Sequence, residues 1–367
     1  MEVVGTTGNE VGAAGTLMLH LLGRCNLECL HCYMEGGPSR REQLELEDVL
    51  RAIGECPELG VGQLYLTGGE PLLYPGLHDA LRAAGASRLK ITVCTNGTIP
   101  AARHVAALHE VGARAQVSVD GPETFHDSFR QLDGAFRATE RGIQSFRAAG
   151  IPVTIVSTLS QGNARDLPWL AEWAHAIGAD ELRVQPLLDL GRGNGIAAER
   201  LTLPQLNSML LQLSDFANTY GHLGMKCTLV GVTRRFLLAH PCGAYVCNGS
   251  GCHRRMEREI KKIVVREDGT ILPEATNLSR AFAMGNLHDG SLMAMVSRYF
   301  ESGYERFDRL CRATYAEVVP TWPAVVVPWD QIIAERSHSF RDDGAPVRML
   351  ATVCGTTASC TDARCGN

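Results

Sequence analysis

Between residues 16 and 188 the chain alternates short β-rich runs with longer stretches of helical periodicity. The runs are TLMLHLL, QLYLT, KITVCT, AQVSV, PVTIVST and LRVQPL. Among the stretches between them are LELEDVLRAIGEC, HDALRAAGA, AARHVAALHEVG and AFRATERGIQSFRAAG. In the last of these, Phe136, Ile143 and Phe146 are spaced so as to share one helical face. Glycine often closes such a stretch, as at Gly112 and Gly150, where a left-handed helix end is cheapest for it. Six β–α units in succession predict a parallel sheet with right-handed crossovers. Six strands are too few to complete an eight-stranded barrel, so the expected fold is α/β, a partial (β/α)6 TIM-like barrel that stays open and curved.

In barrels the chemistry sits at the C-terminal ends of the strands, and the unusual residues of this sequence fall there. Cys25, Cys29 and Cys32 follow the first run, and Thr67-Gly68-Gly69-Glu70-Pro71 ends the second. Thr95-Asn96-Gly97 ends the third, Ser118, Asp120 and Gly121 the fourth, and Gln185 and Pro186 lie at the sixth.

After Gly191-Arg192-Gly193 the alternation stops. LTLPQLNSMLLQLSDFANTYG reads as a helix with Thr202 as its cap and Pro204 in its first turn. A cysteine-rich loop spans Cys242 to Cys252, and KKIVVREDGTILP reads as a hairpin turning at Asp268-Gly269. SLMAMVSRYFESG predicts a further helix. The expected organisation is an N-terminal segment over 1–15, the partial barrel over 16–193, a smaller cysteine-rich extension over 194–330 and a loosely organised tail over 331–367.

Composition narrows the function classes. The 367 residues are 45% hydrophobic and 20% charged, enough for a large core. With 35 basic and 40 acidic residues the net charge is −5, which gives no reason to propose nucleic-acid or membrane binding. No apolar run is long enough for a membrane span, and MEVVGTTGNE lacks a signal-like core. These features place the protein in the cytosol. There disulfides rarely persist, so the grouped members of its 13 cysteines read as metal ligands or catalytic thiols. Isolated Cys56 and Cys94 read as small buried apolar residues.

Three thiolates on one short loop can hold three corners of a [4Fe–4S] cluster and leave the fourth iron open to an outside molecule. The C-x3-C-x2-C spacing alone also fits zinc, with His31 as fourth ligand. Accompanying motifs separate these readings. RCNLECLHCY followed by LTGGEPLL, TNG, SVDGPETFHDSFR and LRVQPL resembles the radical S-adenosylmethionine (radical SAM) superfamily over about residues 15–193. The resemblance implies that Cys25, Cys29 and Cys32 bind the cluster and that its free iron chelates S-adenosylmethionine. Reductive cleavage of that cofactor would give a 5′-deoxyadenosyl radical that abstracts hydrogen from substrate. It further implies cofactor contacts for Gly68, Gly69 and Glu70, the last facing the methionine ammonium, and for Ser118, Asn96, Asp120 and Gln185. Asn96 and Asp120 also suit strand-ending turns for local reasons. His31 stands where many relatives carry an aromatic, with Tyr33 just after it. His126, Asp127 and Arg130 follow the fourth strand, and Asp127 with Arg130 reads either as a surface pair or as part of the site lining.

Cys242, Cys247 and Cys252, with Cys311 beyond the hairpin, are similar to the auxiliary-cluster extension called SPASM or twitch. Where a cysteine is usual after Pro273, this chain has Glu274, a harder ligand for iron if it binds one, and otherwise a solvated residue. Cys354, Cys360 and Cys365 in the tail are read as solvent-exposed thiols, as further cluster ligands or as hydrogen-atom donors to a substrate radical. Such extensions accompany peptide maturases that crosslink or epimerise ribosomally made precursors, so a peptide is the first substrate class expected. A small metabolite (a sugar, amino-acid derivative or tetrapyrrole) is the second, and a non-catalytic iron–sulfur or zinc redox sensor the third. The start of the barrel near residue 16 leaves no evident peptide-recognition domain ahead of it, which weighs against the peptide. An electron donor such as flavodoxin or ferredoxin is the implied partner.

Overall fold

The computed structural model describes residues 15–246 and 260–341. Each β-rich run forms a strand, and helices fill the connections: β1 (Gly15–His20), α1 (Leu46–Glu55), β2 (Val61–Thr67), α2 (Leu77–Ala86), β3 (Lys90–Thr95), α3 (Ala102–Glu110), β4 (Arg114–Ser118), α4 (Glu123–Arg130), α5 (Ala135–Ala148), β5 (Val153–Leu159), α6 (Leu167–Ala176) and β6 (Glu181–Pro186). β1 to β6 pair in parallel and in sequence order, so the predicted partial barrel is present. It extends further than six strands. A seventh parallel strand, β7 (Lys226–Leu229), follows α7 (Leu203–Gly221) and pairs with β6. Only four residues long, β7 shows too little alternation to be read from sequence. Its Cys227 is buried core, although in sequence it stands beside the later cysteine group.

Beyond β8 (Val232–Thr233) and α8 (Arg234–Ala239), the hairpin forms as read, with β9 (Lys262–Val265) antiparallel to β10 (Thr270–Pro273). It does not stand apart from the barrel. β9 pairs in parallel with β1, and β11 (Gly285–Asn286) pairs with β10. One open ten-stranded sheet therefore runs β11-β10-β9-β1-β2-β3-β4-β5-β6-β7. α9 (Leu292–Arg298), α10 (Tyr304–Val318), β12 (Val326–Val327) and α11 (Trp329–Ser337) complete the described chain. α7 begins as read, with the Thr202 and Gln205 side chains capping reciprocally and Pro204 in the first turn.

The two faces of the sheet differ in chemistry, because successive side chains alternate. Leu17, Leu19, Leu64, Leu66, Val93, Val117, Ile155, Leu182 and Val184 share one face and are fully buried. The opposite face carries His20, Tyr65, Thr67, Cys94, Gln116, Ser118, Thr158, Arg183 and Gln185. A parallel sheet covered on both sides is usually apolar on both. A polar inner face is what a sheet curved around a polar ligand space requires. There Arg183 bonds Glu181 and Gln116, and Glu181 accepts from Thr228 at 2.7 Å. Among the described residues no helix is long and apolar enough to cross a membrane.

Candidate functional site

β1 ends at His20, and the chain then turns through the cysteine loop across the C-terminal edge of the sheet. Cys25 and Cys29 are buried, and Cys32 packs partly buried against them. Burial pushes the Cys25 thiol up to about 12, aided by the nearby Glu70, and raises Cys29 as well. Such thiols stay protonated until a metal takes the proton's place. The loop is held from three sides. Asn26 donates to Thr98 at 2.8 Å and accepts from Asn96 at 2.9 Å, Leu30 N–H donates to the Phe129 carbonyl, and Arg192 binds the carbonyls of Cys29 and Gly36, both at 2.8 Å.

Three N–H groups point at the sulfurs: Leu27 N–H lies 3.4 Å and Asn96 Nδ2 3.8 Å from Cys25 Sγ, and Arg130 Nη1 lies 3.9 Å from Cys29 Sγ. Grouped thiols with N–H donors on their sulfurs suit an iron–sulfur cluster, whose thiolates carry much of its negative charge. Among the described residues no three or more His, Cys, Asp or Glu side chains are gathered tightly enough to hold a single metal ion.

Gly68 and Gly69 are fixed by the same loop. A Cβ on Gly69 would meet the Arg24 carbonyl oxygen at 2.2 Å, and one on Gly68 the Leu22 oxygen at 2.5 Å. Gly69 and Glu70 N–H donate to those same two residues, so strand-end backbone packs on cysteine-loop backbone with no room for a side chain. Glu70 is wholly buried. One carboxylate oxygen accepts from Thr95 Oγ1 at 2.7 Å and Leu72 N–H at 3.1 Å, and the other from Asn96 N–H at 2.8 Å. Burial raises its pKa to about 7, against these three donors. Glu70 thus ties the end of β2 to the end of β3.

Asn96 does two of the things its type allows. Its side chain closes a turn by accepting from Thr98, and also reaches the cysteine loop. Asp120 is likewise a hub: it accepts from Arg130 Nε at 2.8 Å and Thr158 N–H at 3.0 Å, and its carbonyl accepts from Asn163. Burial pushes its carboxyl up, but the Arg130 guanidinium, with the bond from Thr158 N–H, outweighs that and holds it below the usual range. Ser118 and Gln185 lie on the polar face at the ends of β4 and β6, and Gln185 donates to Thr158.

His31 stacks on Phe129 at 4.2 Å, and burial holds its pKa near about 4, so it is neutral. Tyr33 meets His20 edge-on at 6.1 Å. The surface-pair reading of Asp127 and Arg130 fails. Asp127 instead accepts from Gly134 and Phe136 N–H at the start of α5, and Arg130 is 6% exposed, turned inward to Asp120. The alternative reading of Arg130 as part of the site lining agrees with its place here, whereas Arg192 was missed because its partner Cys29 is 163 residues away. The Gly191-Arg192-Gly193 run was the available signal: a Cβ on Gly191 would meet the Cys32 oxygen at 2.6 Å.

Of the second cysteine group, Cys242 is exposed and Cys311 is wholly buried in α10. Cys247, Cys252, Cys354, Cys360 and Cys365 lie outside the described residues. Glu274, read as either a ligand or a solvated residue, is buried with a left-handed φ of 61°, and burial raises its pKa to about 7 against the pull of Lys262.

Residues 19–173 match the family described as the Radical SAM superfamily. An AdoMet-dependent heme synthase of Oleidesulfovibrio alaskensis is 28% identical over 55% of this chain and 53% of its own length. The sporulation killing factor maturation protein SkfB of Bacillus subtilis is 30% identical over 47% of this chain and 43% of its own. The chain spans about half the length of such curated relatives. Streptococcus suis SuiB, solved with S-adenosylmethionine, shares the fold at a TM-score of 0.64 and 16% identity, over 81% of this chain and 68% of that one. An open parallel barrel with three grouped cysteines at its C-terminal edge thus shares its fold with SuiB, and residues 19–173 of it form a Radical SAM superfamily domain.

Proposed function

We propose that this protein cleaves S-adenosylmethionine reductively at a cluster held by Cys25, Cys29 and Cys32, and abstracts hydrogen from a peptide substrate to crosslink or epimerise it. The grouping of these three thiols, with N–H donors on two of their sulfurs, carries the reading. When bound, the cluster and cofactor supply the 5′-deoxyadenosyl radical. The chain's residues position and shield. Gly68 and Gly69 bring bare backbone against the cysteine loop, Asn96 and Arg130 face the sulfurs, and Ser118 and Gln185 offer polar groups from the inner wall. Glu70 would face the cofactor ammonium, a charge that favours its ionised form over the neutral one. An electron donor such as flavodoxin or ferredoxin would reduce the cluster.

The likeness to SkfB, named for maturation of a killing factor, supports the peptide. The likeness to the heme synthase supports a second reading, a tetrapyrrole or other small metabolite. An auxiliary cluster on Cys242, Cys247, Cys252 and Cys311 is part of the proposal.

Anaerobic reconstitution tests these readings. About four irons per chain mean one cubane, about eight mean two, and about twelve bring in the tail cysteines. Reduction with S-adenosylmethionine should yield 5′-deoxyadenosine, and replacing Cys25, Cys29 and Cys32 together with Ala should abolish it. If the wild type holds its cluster and yields none, the enzymatic reading is wrong. Replacing Cys242, Cys247, Cys252 and Cys311 should remove about four irons and block turnover while leaving uncoupled cofactor cleavage. Mass spectrometry after co-expression with a neighbouring short reading frame separates the substrate classes: an unmodified precursor counts against the peptide.

A further inference from the structure

We propose that Arg130 sets the reduction potential of the cluster, by holding a buried guanidinium N–H against the sulfur of Cys29. The inference rests on the reading of Cys25, Cys29 and Cys32 as cluster ligands. Arg130 is the last residue of α4 and is 6% exposed. Its Nε donates to Asp120 at 2.8 Å, while Nη1 lies 3.9 Å from Cys29 Sγ. Asp120 is itself pinned by Thr158 N–H and by Asn163, which donates to its carbonyl, so the guanidinium cannot follow solvent or drift with the loop. The Leu30 N–H bond to Phe129 fixes the loop to the same helix. The result is an oriented pair whose positive end faces the cluster and whose negative end lies behind it.

Reduction adds one electron from the external donor to the cluster, with no bond made or broken. A cation and an N–H donor at a ligand sulfur stabilise the more negative, reduced state and raise the potential. Little water screens the interaction at a buried site. The contacts at Cys25 come from neutral amides, the Asn96 side chain and the Leu27 N–H, so among these three donors Arg130 supplies the full positive charge.

The test is a redox titration of the reconstituted full-length protein, followed by electron paramagnetic resonance without S-adenosylmethionine. Arg130→Gln should lower the midpoint so that the ratio of reduced to oxidised cluster at a fixed potential falls about tenfold, 59 mV for a one-electron couple. Arg130→Lys should retain most of the wild-type potential. Asp120→Asn, which leaves the cation uncompensated, should raise the midpoint. Arg130→Gln with Asp120→Asn, which removes both charges, should lie between wild type and Arg130→Gln. Unchanged midpoints in variants carrying wild-type iron would overturn the proposal, leaving Arg130 a tie between α4 and β4. So would an unchanged midpoint with weakened S-adenosylmethionine binding, which would make Arg130 a cofactor ligand. If Arg130→Gln fails to load iron, Asp120→Asn decides alone: a midpoint that does not rise sinks the idea. A wild type with no cluster signal refutes the underlying reading instead.

Discussion

Three histidines near the site are buried without charge: His20, His31 and His126 are held down to about 3, 4 and 4, in each case first by burial. His126 offers a clean test, since its Nδ1 accepts from Asp120 N–H. Its folded pKa lies below its unfolded value near 6.5, so the unfolded chain binds the extra proton. The stability it confers is complete above pH 6.5 and drains away as pH falls toward 4. Urea midpoints measured from pH 7.5 to 4.5 should decline, and His126→Asn, which keeps an acceptor for Asp120, should flatten part of that decline. Arg192 is the second residue to test. Its side chain binds two carbonyls of the cysteine loop, so Arg192→Ala should leave the barrel folded while iron is lost faster to a chelator. Equal rates of loss in variant and wild type would refute the clamp. Neither role shows in local sequence, because an arginine after a strand reads the same whether it meets water or a backbone 163 residues away.

Helix α5 shows how one element delivers a site. Its apolar face was legible from Phe136, Ile143 and Phe146, all of which are buried as that spacing requires. The same face carries Thr139, which donates to the Asn96 carbonyl at 2.8 Å, and Gly142, where a Cβ would meet the Gly97 oxygen at 2.1 Å. The helix thus rests directly on the Thr95-Asn96-Gly97 turn and sets where Asn96 points. Gly142→Ala should cost about 1–3 kcal/mol by overpacking. Because the clash is with backbone, it should also displace Asn96 and weaken cluster retention, read as iron per chain alongside the urea midpoint. A variant with lowered stability and full iron would show the turn to be insulated from the helix. At α7, loss of the Thr202 cap should cost about 1 kcal/mol with no effect on iron, a control that separates stability from site geometry.

Across the whole molecule the sheet joins what the sequence presents as separate parts. β7 caps the β6 edge and β9 caps the β1 edge, and both come from beyond residue 193. A chain truncated after 193 would expose both edges of a parallel sheet, together with the apolar surface those strands cover. It should aggregate on size-exclusion chromatography where the full chain does not, and a well-behaved monomeric fragment would contradict this. The hairpin also reaches the site, since Glu267 in its turn accepts from Arg40 at 3.1 Å beyond the cysteine loop. Sequence alone determined the strands β1 to β6, the α5 face, the α7 cap, the hairpin and the motif residues at the strand ends. Each is written in local periodicity or in a run of a few residues. The tertiary structure decided the remainder: that Glu70 ties two strand ends together, that Asp127 serves the start of α5, that Arg130 turns inward to Asp120 and Cys29, and that the hairpin continues the main sheet. Those outcomes depend on which distant groups meet and how much water they lose on meeting. Spacing along a chain records neither.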